Sequence, residues 1–546
     1  MPERTFAAEG SAGTIKKLFS GTAVLTLSAI LTKLTGLLYK VPLIALVGTE
    51  GMAYFLAANH IYVLLFVIST AGLPVAVAVT VSGAIARGEY DTVRKTYRTA
   101  FALFGSVGLG ATALMASEAG IISRAVGIPQ AWLCIVAISP AVALSCVAGA
   151  LRGYFQGHQI MLHTAVSQML EAGGKLCFGL AGAYVTRAAG LGTEAVAAGA
   201  IAGITLGVGL SALYLAVVKG VFDRRRYGAA CPRGRQTRTS PVLGQLMRLA
   251  LPVTLSSAVI SLGGVIDTAL IPKSLVASGF SQSRAYTLFS CYGNMAIPLF
   301  SLTPALISPI AMTLVPLVSS AHGRCDADGE SEAVSTALRL TLLLALPASL
   351  GLAMFARPVL CLIFASDTSA AVTAAPLLSL LALSVVPACL ITTTNAVLQA
   401  KGRAGGTIVS MLCGTAVKLV SEYMLLRRPE INIAGAPLST LLCDVTVVAV
   451  NVFLLTSNSP APRGLWRPVM LTAMCAVVSV GAAGALWYFT PLGGTSATSV
   501  IPAVAIAAAL YVAMTALCGV LGVGELLSKG RNKNGQSGEK GLSGQP

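Results

Sequence analysis

The sequence is built from long apolar runs separated by short charged or Gly/Pro-rich breaks, near residues 20–47, 54–85, 96–117, 129–151, 160–185, 193–218, 244–271, 285–318, 334–364, 371–399, 405–426, 432–456, 468–490 and 497–523. A helix needs about 20 consecutive apolar residues to cross a bilayer, and these runs reach or exceed that length. Only 10% of the 546 residues are charged, against roughly 25% in soluble domains, so a water-soluble fold is excluded. A transmembrane barrel needs alternating segments of about ten residues, and these runs do not alternate. The predicted fold class is an all-α polytopic membrane protein with fourteen transmembrane helices. The longer runs are accommodated by tilt or by kinks at prolines such as Pro74, Pro298 and Pro347.

The net charge of +17 could suggest a nucleic-acid partner in a soluble protein, but its distribution points elsewhere. Fourteen helices place both termini on one side. The loops on that side carry 24 Lys and Arg, and those on the other carry 6. The positive-inside rule then puts both ends in the cytoplasm of a bacterial inner membrane. The divisions that follow are a cytoplasmic N-terminus over 1–19, an N-terminal six-helix bundle over 20–218, a basic cytoplasmic linker over 219–243, a C-terminal six-helix bundle over 244–456, two extra helices within 457–523 and a cytoplasmic tail over 524–546. The polar start, ending in Lys16 and Lys17 ahead of a long apolar run, reads as the lead into a retained first span rather than a cleavable signal. The linker core, KGVFDRRRYGAACPRGRQTR, reads as a topology anchor that would also attract anionic lipid headgroups.

The two halves repeat. FQGHQIMLHTAVSQMLEAGGKL, from Phe155 to Leu176, lies without a gap on LQAKGRAGGTIVSMLCGTAVKL, from Leu398 to Leu419, matching Gln156 with Gln399, Ser167 with Ser410 and Lys175 with Lys418. DTVRKTYR, from Asp91 to Arg98, lies in the same way on EAVSTALR, from Glu332 to Arg339. Two pseudo-symmetric bundles with an even number of helices each enter the membrane in one direction. They are then related by an axis along its normal, as in transporters that rock about a central cavity.

Seven basic residues fall inside the apolar runs. Arg248, Arg339 and Arg357 lie near segment ends, where they can snorkel. Lys33, Lys40, Lys175 and Lys418 lie deeper, where a lysine costs at least ~2.5 kcal/mol and should face a partner or a wet cavity. The deep acids are Glu171, Asp267, Glu422 and Asp444. Glu171 with Lys175, and Lys418 with Glu422, are four residues apart and are expected to pair along their own helices. Lys33 and Lys40 share one helix face and have no acid in their segment. The N-terminal half thus offers cations to an anionic headgroup, while Asp267, Glu422 and Asp444 in the C-terminal half offer oxygen ligands or a protonatable site for a coupling Na+ or H+. Phosphate suits lysine as a point-charge partner. The twelve cysteines occur singly with no CxxC spacing, so no metal site, disulfide framework or resident cofactor is expected.

The segments LTKLTGLLYKVPLIALVGTEGMAYF, STAGLPVAVAVTVSGAIARGEYDTVRKTYRTA, ALRGYFQGHQIMLHTAVSQMLE, ALPVTLSSAVISLGGVIDTALI and NAVLQAKGR resemble the stage V sporulation protein B branch of the polysaccharide exporter and lipid II flippase group, within the multidrug/oligosaccharidyl-lipid/polysaccharide superfamily. The resemblance implies two six-helix bundles around a V-shaped cavity, with two additional helices forming a lipid-filled groove. It further implies alternating access that carries an undecaprenyl-pyrophosphate-linked glycan between leaflets. Lys33 and Lys40 match basic cavity positions of helix one in this group. Members nearer the dedicated lipid II flippase carry arginines in helix two, where this chain offers His60. Arg284, at the outer start of helix eight, is a further headgroup candidate.

The expected activity is therefore that of a transporter rather than an enzyme: a monomeric flippase for a lipid-linked cell-wall or polysaccharide precursor, with membrane lipids as its surroundings and no nucleic-acid partner. The alternative is a cation-coupled multidrug exporter of the same superfamily. A third reading, a membrane-embedded polyprenyl-glycan polymerase or ligase, would need large outer loops carrying a catalytic acid or base, and the loops here are short. No GxxxxGK[ST] phosphate-binding loop is present to drive transport with ATP.

Overall fold

The computed structural model describes residues 28, 31–226, 239–323, 327–428, 430–457, 466–489 and 500–519, which are helical with short turns and contain no strand. The expected cytoplasmic N-terminus and tail, and the centre of the basic linker, lie outside the described residues. The first half holds α1 (31–47), α2 (Gly51–Thr70), α3 (Leu73–Ala86), α4 (Tyr90–Ser117), α5 (Ala119–Ala125), α6 (Trp132–Ile138), α7 (Pro140–Gly157), α8 (Met161–Ala188) and α9 (Thr193–Arg226). The second holds α10 (Thr239–Ala277), α11 (Gln282–Ser290), a π turn (Cys291–Ala296), α12 (Ile297–Gly323), α13 (Ala327–Met354), α14 (Ala356–Ile363), α15 (Thr368–Ala382), α16 (Val385–Ala400), α17 (Ala404–Leu426) and α18 (Gly435–Thr456), followed by α19 (Trp466–Phe489) and α20 (Val500–Leu517).

Ten helices among the described residues are long and apolar enough to cross a bilayer, or eleven if the bent pair α14 and α15 counts as one. The sequence predicts fourteen, and the four remaining segments have these features among the described residues. The first is described only from 28 and 31 onward. In α8 the middle turns carry Glu171 and Lys175. The π turn interrupts the segment of α11 and α12, and α15 and α16 are separated by the break at Leu383 and Ser384. The segment expected to run unbroken to 364 instead ends at Met354. Phe355 leaves helical geometry there, and the chain restarts as α14 with Pro358 in its first turn, where a missing N–H costs nothing. A bend of 96° then separates α14 from α15. Pro74 acts in the same way at the start of α3, after the break at Ala71 and Gly72, while Pro347 stays inside α13.

Lipid tails are as apolar as leucine, so close packing rather than expulsion from water holds such helices together. The glycines of α8 and α9 provide that closeness. A Cβ on Gly203 would fall 2.2 Å from the Gly179 nitrogen, and one on Gly182 would fall 2.3 Å from the Gly199 carbonyl oxygen. Helix α9 continues past residue 219, where a linker is expected, because Lys219 pairs with Asp223 one turn on at 2.5 Å and Tyr154 also donates to Asp223. The Lys219 ammonium lies 4.1 Å from the Tyr97 ring centroid. At the other end of the chain, α19 and α20 dock on α13 through Phe355, Val480, Trp487 and Ala503, and the Tyr511 hydroxyl donates to Leu343 O.

Candidate functional site at the junction of the two halves

The halves meet at the π turn. Wider than an α-helical turn, this geometry recurs at functional sites, and here it sends groups to three elements. Gly293 O accepts from Lys40 Nζ of α1 at 3.3 Å, Asn294 donates to Met52 O of α2 at 3.0 Å, and the Tyr292 hydroxyl lies 3.1 Å from Thr440 Oγ1 of α18. Nothing in the composition of CYGNMA announces a π turn, so this junction is invisible to periodicity.

On the first-half side the structure brings three of the predicted lysines together. Lys40 and Lys175 are close enough to repel one another, as are Lys175 and Lys33. Lys33 is exposed, whereas Lys40 and Lys175 are half-buried. The Lys175 ammonium sits 5.5 Å from the centroid of Tyr39. The expected pairing of Glu171 with Lys175 along α8 is not what forms. Glu171 accepts from Arg152 of α7 at 2.7 Å, and the same guanidinium donates to Ser167 and Ser211. Arg152 reaches across from a neighbouring helix and offers a planar fork that suits a carboxylate better than an ammonium does. Arg152 falls one residue beyond the apolar run ending at 151, which counts it among the loop basic residues. Its position inside AGALRGYFQG, between small and aromatic residues, was the available sign that it is packed.

On the second-half side the expected pairing of Lys418 with Glu422 along α17 is also replaced. Lys418 Nζ lies 2.7 Å from Asp267 Oδ1 of α10, with side-chain exposures of 10% and 8%, and 3.4 Å from Thr440 Oγ1. Glu422, fully buried one turn away, faces Asp267, Lys418 and Ser439. Asp444 of α18 is within electrostatic reach of Lys418, and its Oδ2 is buried without a hydrogen-bond partner among the described residues. Among the described residues no group of three or more His, Cys, Asp or Glu side chains is disposed to hold a metal ion.

His60 bridges the two sides. Its Nδ1 lies 2.8 Å from Thr268 Oγ1, and Thr268 already donates its one hydroxyl hydrogen to Gly264 O. The imidazole N–H is therefore the donor in that contact. The ring rests on α10 where Gly264 has no side chain, and a Cβ there would come within 3.1 Å of it. Arg284 stands apart from this junction, exposed in the first turn of α11.

The end of the molecule opposite the basic loops is stitched shut across the halves. Thr49 donates to Asp367, Ser283 to Glu50, Tyr286 to Gly127 O and Lys273 to Ala125 O. The largest apolar cluster, drawing on α1, α2, α6, α11 and α15, covers both halves there. Toward the basic loops, among the described residues, one cluster joins α12, α13 and α16, and another joins the first half to α10 of the second, which crosses it at Gly72 with Thr254 accepting from the Gly72 N–H.

The sequence matches the family profile described as "Polysaccharide biosynthesis protein" over residues 18–322 and that described as "Lipid II flippase MurJ" over residues 179–502. This chain belongs to the polysaccharide biosynthesis and lipid II flippase family. As such a family member it is 25% identical over 496 residues to stage V sporulation protein B of Bacillus subtilis, covering 90% of this chain and 93% of that protein. It is 23% identical over 497 residues to lipid II flippase MurJ of the same organism, covering 86% and 89%. Its fold is shared with a solved lipid II flippase MurJ in an inward closed conformation, with a TM-score of 0.70 at 13% identity over 91% of this chain and 99% of that one. A multidrug resistance MATE family transporter of the MOP superfamily, in an inward-facing conformation, has a TM-score of 0.64 at 15% identity, over 79% and 97%.

Proposed function

We propose that this multi-pass membrane protein is a flippase that moves an undecaprenyl-pyrophosphate-linked cell-wall or polysaccharide precursor from the cytoplasmic to the outer leaflet. The observation that carries this reading is the gathering of Lys33, Lys40 and Lys175, none of them in an ion pair among the described residues, beside the junction of the halves. Three ammonium groups inside a bilayer repel one another and are costly. A pyrophosphate headgroup would relieve both penalties, because lysine binds phosphate as a point charge.

The reading includes fourteen spans with both termini cytoplasmic, oriented by the charge of the loops, and a monomer that works within its lipid surroundings. The element order from α4 to α9 recurs from α13 to α18, each time a long helix, a short one, a broken one and then two more. This supports two pseudo-symmetric bundles that alternate access about the junction. The stitched end then faces outward, and the lysines are reached from the inside. Transport is coupled to a cation gradient or to the membrane potential. A multidrug exporter for organic cations would work against the lysine cluster.

The test is reconstitution into vesicles with fluorescent lipid II and, separately, other undecaprenyl-linked glycans, followed by leaflet exchange with and without pH and Na+ gradients. Exchange of at least one of these lipids that is lost with Lys33→Gln plus Lys40→Gln supports the reading. Efflux of organic cations without exchange of any polyprenyl glycan overturns it.

A further inference from the structure

The acids of the second half were expected to serve a coupling ion, and their surroundings decide what kind of cation fits there. Asp267, Glu422, Ser439, Thr440 and Tyr292 line one buried spot with oxygen atoms, the donor chemistry that a hard cation seeks. The centre of that spot is held by the Lys418 ammonium, which contacts Asp267 at 2.7 Å and Thr440 at 3.4 Å. Gly263, one turn before Asp267, has no side chain, and a Cβ there would lie 4.0 Å from Nζ. From the first half His60 faces the same group, within electrostatic reach of Asp267, Lys40 and Lys418. The site thus already holds one fixed cation. A metal ion entering it would have to displace a covalently attached ammonium or sit beside it.

We infer that Lys418 is a built-in counter-cation that occupies the oxygen cluster of the second half, so that this protein rejects Na+ at that site and works without it. The inference rests on the flippase reading for its meaning in transport, but not for its test. An ammonium supplies three donors and one charge at a fixed place. A tethered group competes at high effective concentration against a dissolved ion. Asp267 is therefore served from within the chain, and the two halves can rearrange without metal binding or release at this cluster. Removing the ammonium while keeping the acids should open a cation site that the native chain lacks.

The experiment uses the full chain in lipid nanodiscs, with two readouts that do not depend on any glycan substrate: the thermal unfolding midpoint in NaCl against choline chloride at equal ionic strength, and saturable binding of radiolabelled sodium. The native protein should show no sodium-specific shift and no saturable sodium binding. Lys418→Gln should gain both, and Lys418→Gln combined with Asp267→Asn should lose them again. Saturable sodium binding or sodium-specific stabilisation by the native protein overturns the inference, as does a folded Lys418→Gln protein that gains neither. Should Lys418→Gln fail to fold, the native measurement alone decides. Leaflet exchange in the reconstituted vesicles of the transport assay, unchanged when choline replaces sodium on both sides, separates this inference from the flippase reading, which fails only if no exchange occurs at all.

Discussion

Thr49, in the turn between α1 and α2, donates its hydroxyl to the Asp367 carboxylate ahead of α15, joining the two halves across 318 positions of sequence. Asp367 also accepts from the Ala370 N–H and the Ser369 hydroxyl, so its carboxylate is held in place before it meets Thr49. With the contact of Ser283 to Glu50 at 2.7 Å it forms the polar part of the closed end. Hydrogen bonds to charged groups are worth about 1.5–3 kcal/mol. Asp367→Ala should shift the population toward opening at this end by roughly ten- to a hundredfold. Spin labels placed on α2 and α15 near that end should report a longer distance population in Asp367→Ala, and a further increase with Glu50→Ala. An unchanged distance distribution in the double variant would show that apolar packing alone closes this end.

The apolar, all-helical character of the chain could be read from hydropathy, because it depends on segments of chain that are contiguous in sequence. The site was legible only in its ingredients. Lys33, Lys40, Lys175, Asp267 and Glu422 stand out because a charge in an apolar run is expensive wherever the chain goes, whereas His60 was a candidate only through the family resemblance. Their partners were not recognised, since pairing is decided by which helices pack. The spacing of four that suggested Lys418 with Glu422 lost to Asp267, which lies 151 residues earlier yet only 2.7 Å away. Glu171 turned to Arg152 for the same reason.

The Lys418 and Asp267 pair should be strongly coupled in stability. Breaking a buried pair by removing one partner leaves an uncompensated charge and costs about 3–5 kcal/mol. Asp267→Asn should therefore destabilise the protein by that amount. Lys418→Met combined with Asp267→Asn should recover much of the loss, because neither charge is then left alone. Unfolding in mixed micelles for the two single variants and the double variant gives the cycle. Additive losses would mean that the contact contributes nothing of its own.

Helices α19 and α20 bring two thiols together. The Cys475 and Cys518 sulfurs lie 3.9 Å apart, with Cys475 buried and Cys518 exposed. A mild thiol oxidant should join them in the otherwise native protein, tying α19 to the end of α20. Peptide mapping after alkylation of the remaining thiols should recover the linked pair, and Cys518→Ser should abolish it. Linkage of Cys475 to any other cysteine would contradict the packing described here.

The contact of Arg152 with Glu171 should set how much positive charge the lysine cluster presents. Glu171 lies one helical turn from Lys175 and within its electrostatic reach, but its carboxylate is engaged by Arg152 at 2.7 Å, and Arg152 is in turn held by Ser167 and Ser211. Arg152→Ala should release Glu171 to Lys175, remove one ammonium from the headgroup site and weaken binding of a lipid pyrophosphate by about tenfold, since loss of one charged hydrogen bond is worth about 1.5 kcal/mol. Arg152→Ala with Glu171→Gln should restore most of the affinity, although it removes one positive and one negative charge together. Binding of a fluorescent undecaprenyl pyrophosphate to the two variants in nanodiscs distinguishes this from a merely structural role for Arg152, in which the second substitution would deepen the loss rather than reverse it.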